Sequence, residues 1–325
     1  MAGGGTMNTI GPLAPFIKQY LELQRSLGLS LRNAEYTLNA FEHHTQQSFP
    51  NAKTITRAMV TGYLQTLPHL ETTSLHGQIS LLRQFCRFLF LLDPETYIPA
   101  GDLVPPSRKS RQSHVYTKDE AKRLIVAALT LSPPKSLRPH TYATLLSLLW
   151  VSGIRIGEAL RLNLEDIDVE RCLLHIRQSK FYKSRLVPLA SSSILALEEY
   201  LVRRATYGHD ERPEAPFFVN GMGRRCNYKT VFVTFHLLLQ QLDIKTIQGR
   251  NPRIHDFRHT FATNYLDRVY NSGKNPGSVL PLLATYLGHA NIAHTQIYLH
   301  PSFSLLEKSG QQFNTYARGG AYEGS

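Results

Sequence analysis

Cysteine is scarce and scattered. Cys86, Cys172 and Cys226 are the only three in 325 residues, and no two form a CxxC pair. That argues against a disulfide framework and against a cysteine-rich zinc site, and it fits a reducing cytosol. Long apolar runs are missing too. The most apolar stretch, Leu81 to Leu92, is broken by Arg83, Gln84 and Arg87 and is too short to cross a bilayer. The first residues offer neither a basic start nor an apolar core, so no secretory leader is expected. Internal repeats are lacking as well. Acidic residues are in deficit: 24 Asp and Glu face 36 Lys and Arg, a formal charge of +12. A field of that sign draws in polyanions by attraction and counterion release, which makes nucleic acid the expected partner.

What is there is a globular composition, 42% apolar, in a chain long enough for two cores. The first hundred residues read as four helices. Phe16, Ile17, Tyr20, Leu21 and Leu27 keep helical spacing up to a stop at Gly28. Ser30 is placed to cap a second helix through about Gln47, striped by Leu31, Ala34, Leu38 and Phe41. A third runs from Arg57 to Leu67 and a fourth from Thr72 to Leu92, ended by Pro68 and by Asp93-Pro94. Four short helices of this kind pack as a small bundle. Proline then becomes frequent (Pro94, Pro99, Pro105, Pro106), followed by Arg108, Lys109 and Arg111. Such a stretch reads as a linker that can lie along a polyanion.

Thr117-Lys-Asp-Glu120 is a capping box and opens a larger second domain. A helix over Pro139 to Val151 is stopped by Gly153, and a short one covers Arg155 to Arg161. Asp166 to Asp168, Cys172 to Ile176 and Arg185 to Leu189 read as short strands of a small antiparallel sheet, with Pro188 marking an edge. Helices resume over Ser191–Arg204, Tyr228–Leu242, His255–Val269, Val279–Leu287 and Ile292–Leu299. The expected organisation is a tag-derived or disordered start over 1–10, with Met7 the natural first residue. A helical domain over 11–95, a basic Pro-rich linker over 96–114, a second domain over 115–301 and a tail over 302–325 follow.

One set of residues fits a single chemistry. Cleaving a phosphodiester without a metal needs cations on the non-bridging oxygens, an in-line nucleophile and an acid for the leaving oxygen. Arg155 and Arg258 suit the first task, because a planar guanidinium grips two oxygens at once. Glu158 lies one turn after Arg155, close enough to orient it. His255 and Arg258 are also one turn apart and share a side, while His259 faces elsewhere and is expected to pack or to support the site from behind. His289 closes the run Leu287-Gly-His289. Tyr298 follows in a short polar helix that is poorly explained as core, and cations near its phenol favour the phenolate. Lys180 sits in the turn Gln178-Ser-Lys180-Phe-Tyr-Lys183 between two strands, where its point charge suits a leaving alkoxide. Lys183 shares that turn, and the count back from Arg185 favours Lys180. His255 and His259 have zinc-ligand spacing, but no glutamate intervenes and no third ligand is evident, so no metal is expected.

In order and spacing, Arg155-Ile-Gly-Glu158, Lys180 with Arg185-Leu-Val-Pro188, His255-Asp-Phe-Arg258-His-Thr, Leu287-Gly-His289 and Tyr298 resemble the tyrosine recombinases. This is the phage-integrase family, which includes the Xer proteins and Cre. The motifs cover about Thr117 to His300, and Phe16 to Leu92 resembles the family's N-terminal core-binding (SAM-like) domain. The resemblance implies a mainly α fold with a small antiparallel sheet in the C-terminal domain, the two domains forming a C-shaped clamp on duplex DNA. It implies that Arg155, Arg258 and His289, with His255, hold the scissile phosphate. Tyr298 would attack to leave a 3′-phosphotyrosyl link and a free 5′-hydroxyl, Lys180 acting as general acid and Glu158 supporting Arg155. Neither cofactor nor metal is implied. The implied partner is double-stranded DNA with an inverted-repeat core site. The protein is expected as a monomer or dimer when free and a homo-tetramer in synapsis, with accessory proteins. Its expected location is cytoplasmic, on the nucleoid when bound. Phe303, Leu305, Leu306 and Phe313 suggest an amphipathic tail helix that docks on a neighbouring protomer or folds back on its own domain. Two other functions fit parts of the pattern: a relaxing topoisomerase of the type IB kind, and a non-catalytic DNA-binding protein. The second has no need of Tyr298 and Lys180 together.

Overall fold

The computed structural model describes residues 11–29, 31–105, 113–177, 184–289, 291–296 and 298, with only the backbone of Arg32 and His294. The 1–10 start, Ser30, the basic cluster Arg108 to Arg111, Lys180, Lys183 and the 302–325 tail lie outside the described residues. The chain divides into two compact units, 1–111 and 112–325.

The first unit is the expected four-helix set: α1 (Ala14–Ser26), α2 (Arg32–Ser48), α3 (Arg57–Gln65) and α4 (Thr72–Phe90). Its core is made by the apolar stripes the spacing predicts, including Ile17, Tyr20, Leu38, Phe41, Val60, Leu82 and Phe85. The start of α1 has no capping side chain of its own. Glu42 of α2 serves instead, its Oε1 accepting the Leu13 N–H at 3.1 Å. Residues beyond α4, read from sequence as part of the linker, instead run back over this unit. Tyr97 N–H donates to the Ile55 carbonyl at 2.8 Å, and Arg83 Nε to the Pro99 carbonyl at 2.7 Å. Apolar Ile98 and Leu103 pack on the same core, which outweighs proline's local preference for open chain.

The second unit begins with α5 (Lys118–Ala128), capped by the Thr117–Glu120 box: Glu120 N–H donates to Thr117 Oγ1 and Thr117 N–H to Glu120 Oε2. Helix α6 (Arg138–Ser152) is apolar almost all round and runs through the centre, with Leu145, Leu146, Leu148 and Leu149 each nearly sealed from water. Burial of each such leucine is worth about 1.5–3 kcal/mol. After the single turn α7 (Ile156–Ala159) come β1 (Ile167–Asp168), β2 (Leu173–Ile176) and β3 (Arg185–Pro188), an antiparallel sheet in the order β1-β2-β3. Leu174 opposes Val187, so both point to the core, and Pro188 lies on an edge strand, where its missing N–H breaks no ladder. Cys172, expected in β2, instead sits in the preceding turn with φ +54.

Helices α8 (Ser191–Thr206), α9 (Tyr228–Gln241), α10 (Asp256–Asn271) and α11 (Leu280–Leu287) match the expected spans closely. Of the last expected helix, the described residues show α12 (Ala293–Gln296). Tyr116 stacks on Phe257 of α10 with ring centroids 4.5 Å apart, and its N–H donates to Thr260 Oγ1 at 2.9 Å. This pins α10 to the entry of the unit. Among the described residues no helix is long and apolar enough to cross a membrane.

Candidate active site

Two glycines shape the site. Gly153 ends α6 and Gly288 ends α11, both in the left-handed region (φ +60 and +68) that glycine alone enters cheaply. At Gly153 a Cβ would stand 2.6 Å from the Phe261 ring. Each stop leaves helix-terminal carbonyls without intrahelical partners, at the negative end of a helix dipole. Guanidinium groups occupy both ends.

Arg258, on the first turn of α10, is 1% exposed. Its Nη1 donates to the Gly153 carbonyl at 3.1 Å, and its Nη2 to the Leu287 carbonyl and to His289 Nε2 at 2.9 Å. Burial, and next the nearby charge of Arg155, lower its pKa to about 10, which still leaves it charged at neutral pH. Arg155 caps α7. Its Nη1 donates to Glu158 Oε1 at 2.8 Å and its Nη2 to the Gly288 carbonyl at 3.2 Å. Glu158 also accepts the Arg155 backbone N–H, at 2.9 Å. Arg185, the first residue of β3, meets the same carboxylate through both of its terminal nitrogens. Burial favours the neutral form of Glu158, but Arg185 and then Arg155 outweigh it and hold the carboxyl at about 2. Three guanidinium groups around one carboxylate leave a net positive site built for an anion.

His289 follows Gly288 directly, and its Nδ1 lies 2.8 Å from Thr295 Oγ1 on α12. Tyr298 is 5% exposed. Its ring lies near-parallel to His289 at 6.0 Å between centroids and meets His259 edge-on at 5.0 Å. The sequence suggested a residue outside any core. Instead its ring joins a small apolar cluster with Ala262, Leu266, Leu280, Leu283 and Leu287, since the body of a phenol is apolar even where its hydroxyl is needed elsewhere. His255 stands just before α10, its ring 5.7 Å from that of His259. More than a third of its surface is open. Even so, protein around the rest of the imidazole, then His259, Arg258 and Arg253, push its pKa down to about 4. Burial lowers that of His259 as well.

Of the expected site residues, Arg155, Glu158, Arg258, His289 and Tyr298 therefore meet at one place, with His255 at its border. Lys180, with Lys183, lies outside the described residues. His259, read from sequence as facing away from His255 and Arg258 and as packing or supporting the site, meets the rings of both His255 and Tyr298. Sequence reasoning missed Arg185 and Thr295. Arg185 entered as a strand residue and a ruler for the lysine, without a role of its own, and nothing in a strand arginine or a buried threonine announces these partners. Among the described residues no cluster of three or more His, Cys, Asp or Glu is placed to hold a metal ion.

Comparison with known proteins gives a consistent result. Residues 114–304 match the model of the phage integrase family, and residues 17–91 match the phage integrase N-terminal SAM-like domain. The "Putative integrase/recombinase y4rB" of Sinorhizobium fredii is 35% identical over 297 residues, covering 90% of this chain and 94% of that protein. Tyrosine recombinase XerC of Thermodesulfovibrio yellowstonii is 27% identical over 281 residues, 82% of this chain and 86% of the relative. Among solved structures, XerH recombinase bound to a palindromic difH substrate shares the fold with a TM-score of 0.66 at 20% identity, covering 92% of this chain and 84% of that one.

Proposed function

The chain belongs to the phage integrase family of tyrosine recombinases, and from that premise we propose that it is a site-specific DNA recombinase, cleaving and rejoining duplex DNA through a 3′-phosphotyrosyl link to Tyr298. The observation that carries this reading is the meeting of Arg155, Arg258 and His289 at two helix C-termini, with the Tyr298 ring 6.0 Å from that of His289.

Arg155 and Arg258 take the non-bridging oxygens of the scissile phosphate. Both are already fixed by carbonyls and by Glu158, so little reorganisation is left to the moment of reaction. His289 adds a third contact, and His255, neutral at physiological pH, stands beside Arg258. Tyr298 gives up its phenolic proton to solvent and attacks phosphorus, the bond to the 5′-oxygen breaks, and Lys180 protonates that oxygen. A 5′-hydroxyl from a partner strand then attacks the phosphotyrosine and releases the phenol. One phosphoester replaces another of similar energy, so the exchange needs no external energy source.

The helical unit around residues 17–91 serves as the core-binding domain and the second unit as the catalytic one, together gripping double-stranded DNA at an inverted-repeat core site. Synapsis brings four copies together, with the 302–325 tail docking on a neighbour and accessory proteins setting direction, in the cytoplasm. A relaxing topoisomerase shares the chemistry, but the relatives named above are integrases and recombinases, which favours strand exchange between sites.

The test uses nicked duplexes with randomised core sequence, captured covalently by the wild-type protein. Tyr298→Phe is expected to bind the captured duplexes and form no covalent complex. Attachment by the phenylalanine variant moves the nucleophile elsewhere. Failure of the wild type to attach to any duplex ends the recombinase reading.

A further inference from the structure

Arg185 has no part in the chemistry above, yet it makes three close polar contacts, two of them with Glu158, the carboxylate that holds Arg155. Its Nη1 and Nη2 fork onto both oxygens of Glu158 at 3.0 and 2.9 Å, and its Nε donates to the Tyr286 carbonyl at 2.7 Å. The two side chains of the fork are 11% and 1% exposed, whereas that of Arg155 is 27% exposed and touches Glu158 through one oxygen only. Gly288 completes the arrangement. Its carbonyl binds Arg155, and a Cβ on it would lie 2.9 Å from Arg185 Nη1, so Arg185 packs directly against the Gly288 backbone.

Glu158 thus has a better partner than Arg155. A buried carboxylate with a single arginine would hold that arginine in a closed, formally neutral pair and compete with any phosphate. With the bidentate fork satisfied by Arg185, the carboxylate still orients Arg155 through one oxygen but no longer cancels its charge. Resting on the recombinase reading for the identity of the anion, we propose that Arg185 is a positioning residue that neutralises Glu158 and so keeps the charge of Arg155 available to the scissile phosphate. The ionised state of Glu158, held at about 2 chiefly by Arg185 against the effect of burial, agrees with that division of labour.

The experiment compares Arg185→Met, Arg185→Lys, Glu158→Gln and the double variant R185M/E158Q. It reads inorganic phosphate binding by 31P NMR line broadening without DNA, and cleavage of captured nicked duplexes. R185M is expected to weaken phosphate binding on the order of 10- to 100-fold, the scale of a lost charge-assisted contact in a partly buried site. R185K keeps the charge and most of the binding. The telling variant is R185M/E158Q: removing the carboxylate as well frees Arg155 and restores binding to within about fivefold of wild type. A double variant as weak as R185M overturns the proposal, since it would mean that Arg185 acts only as a brace for the Tyr286 carbonyl. In cleavage, the loss and rescue appear in the single-turnover rate more than in duplex affinity, which many other phosphate contacts maintain.

Should R185M not fold, E158Q against the double variant decides. With no carboxylate to neutralise, the two bind phosphate within about threefold of each other, and a much weaker double variant rejects the role. The phosphate measurement also separates this proposal from the functional reading. A wild type that never attaches to DNA but shows the phosphate pattern loses the recombinase reading alone. A wild type that cleaves, with no rescue in the double variant, loses the Arg185 role alone.

Discussion

Arg258 and His289 are joined by a hydrogen bond of 2.9 Å between Nη2 and Nε2. A guanidinium has only donors, so the imidazole nitrogen accepts, and the ring proton sits on Nδ1, facing Thr295 Oγ1 at 2.8 Å. In this arrangement Nε2 serves as an acceptor. To donate from Nε2 to a phosphate oxygen, His289 must exchange tautomer or gain a proton once the phosphate engages Arg258.

Long-range 15N NMR of the free protein should show His289 as the Nδ1–H tautomer, changing on binding a cleavable duplex. Thr295→Val removes the acceptor for that proton at a part-buried contact whose threonine is sealed from water. It should cost about 1–3 kcal/mol in chemical denaturation and slow cleavage. An Nε2–H tautomer in the free protein contradicts the arrangement.

Arg155 and Arg258 should separate activity from stability. Alanine at either position is expected to lower single-turnover cleavage by roughly two to three orders of magnitude, as for other lost oxyanion donors. Only Arg258→Ala should also lower the thermal midpoint strongly. That side chain is fully buried and ties the ends of α6 and α11 together, whereas Arg155 is partly open. Equal thermal losses would show that the ties of Arg258 carry no special weight.

Acid should weaken the second unit through His255. Its folded pKa of about 4 lies below the ordinary 6.5, so the unfolded chain takes up the proton first. The stability from keeping it neutral is complete above about 6.5 and is lost as pH falls through about 4. His259 is shifted the same way and adds to the trend. The open face of His255 moderates the effect. The thermal midpoint of the wild type should fall across this window, and His255→Gln should flatten the fall; an NMR titration of His255 near 6.5 would remove the basis for it.

Glycine stops should differ in cost. Gly153→Ala meets both a positive φ and the Phe261 ring at 2.6 Å, whereas Gly208, with φ +69, has nothing within 4 Å of a new Cβ. Alanine at 208 is expected to cost about 1–2 kcal/mol from backbone strain alone. At 153 the loss should be clearly larger and accompanied by reduced cleavage, because the Gly153 carbonyl holds Arg258. Comparable losses at the two sites would argue that the Phe261 contact relaxes without effect.

Much of the fold was legible because its signals are local. Apolar spacing marked α1 to α4, Thr117 with Glu120 marked the start of α5, and Pro188 marked an edge strand. Tertiary contacts overruled local preference where the two competed. Proline around residues 94–105 suggested free linker, but Ile98 and Leu103 had an apolar surface within reach. Tyr298 looked too polar in its surroundings for a core, yet leucines from α11 enclose it.

Residue type and spacing alone pointed to a phosphate-handling set, because arginine, histidine and tyrosine in that order leave few other chemistries to expect. The sequence by itself determined where the helices stop, since only glycine turns the chain cheaply at positions 153 and 288. What tertiary structure alone decided is who holds whom. Arg155 and Glu158 are neighbours in sequence, but Arg185 is 27 residues beyond Glu158, and the carbonyls that grip Arg155 and Arg258 come from helix ends 29 to 133 residues away. The placement of His259 against Tyr298 was decided there too. Side-chain spacing along a helix is fixed by covalent geometry, whereas contacts between distant elements depend on how whole cores pack.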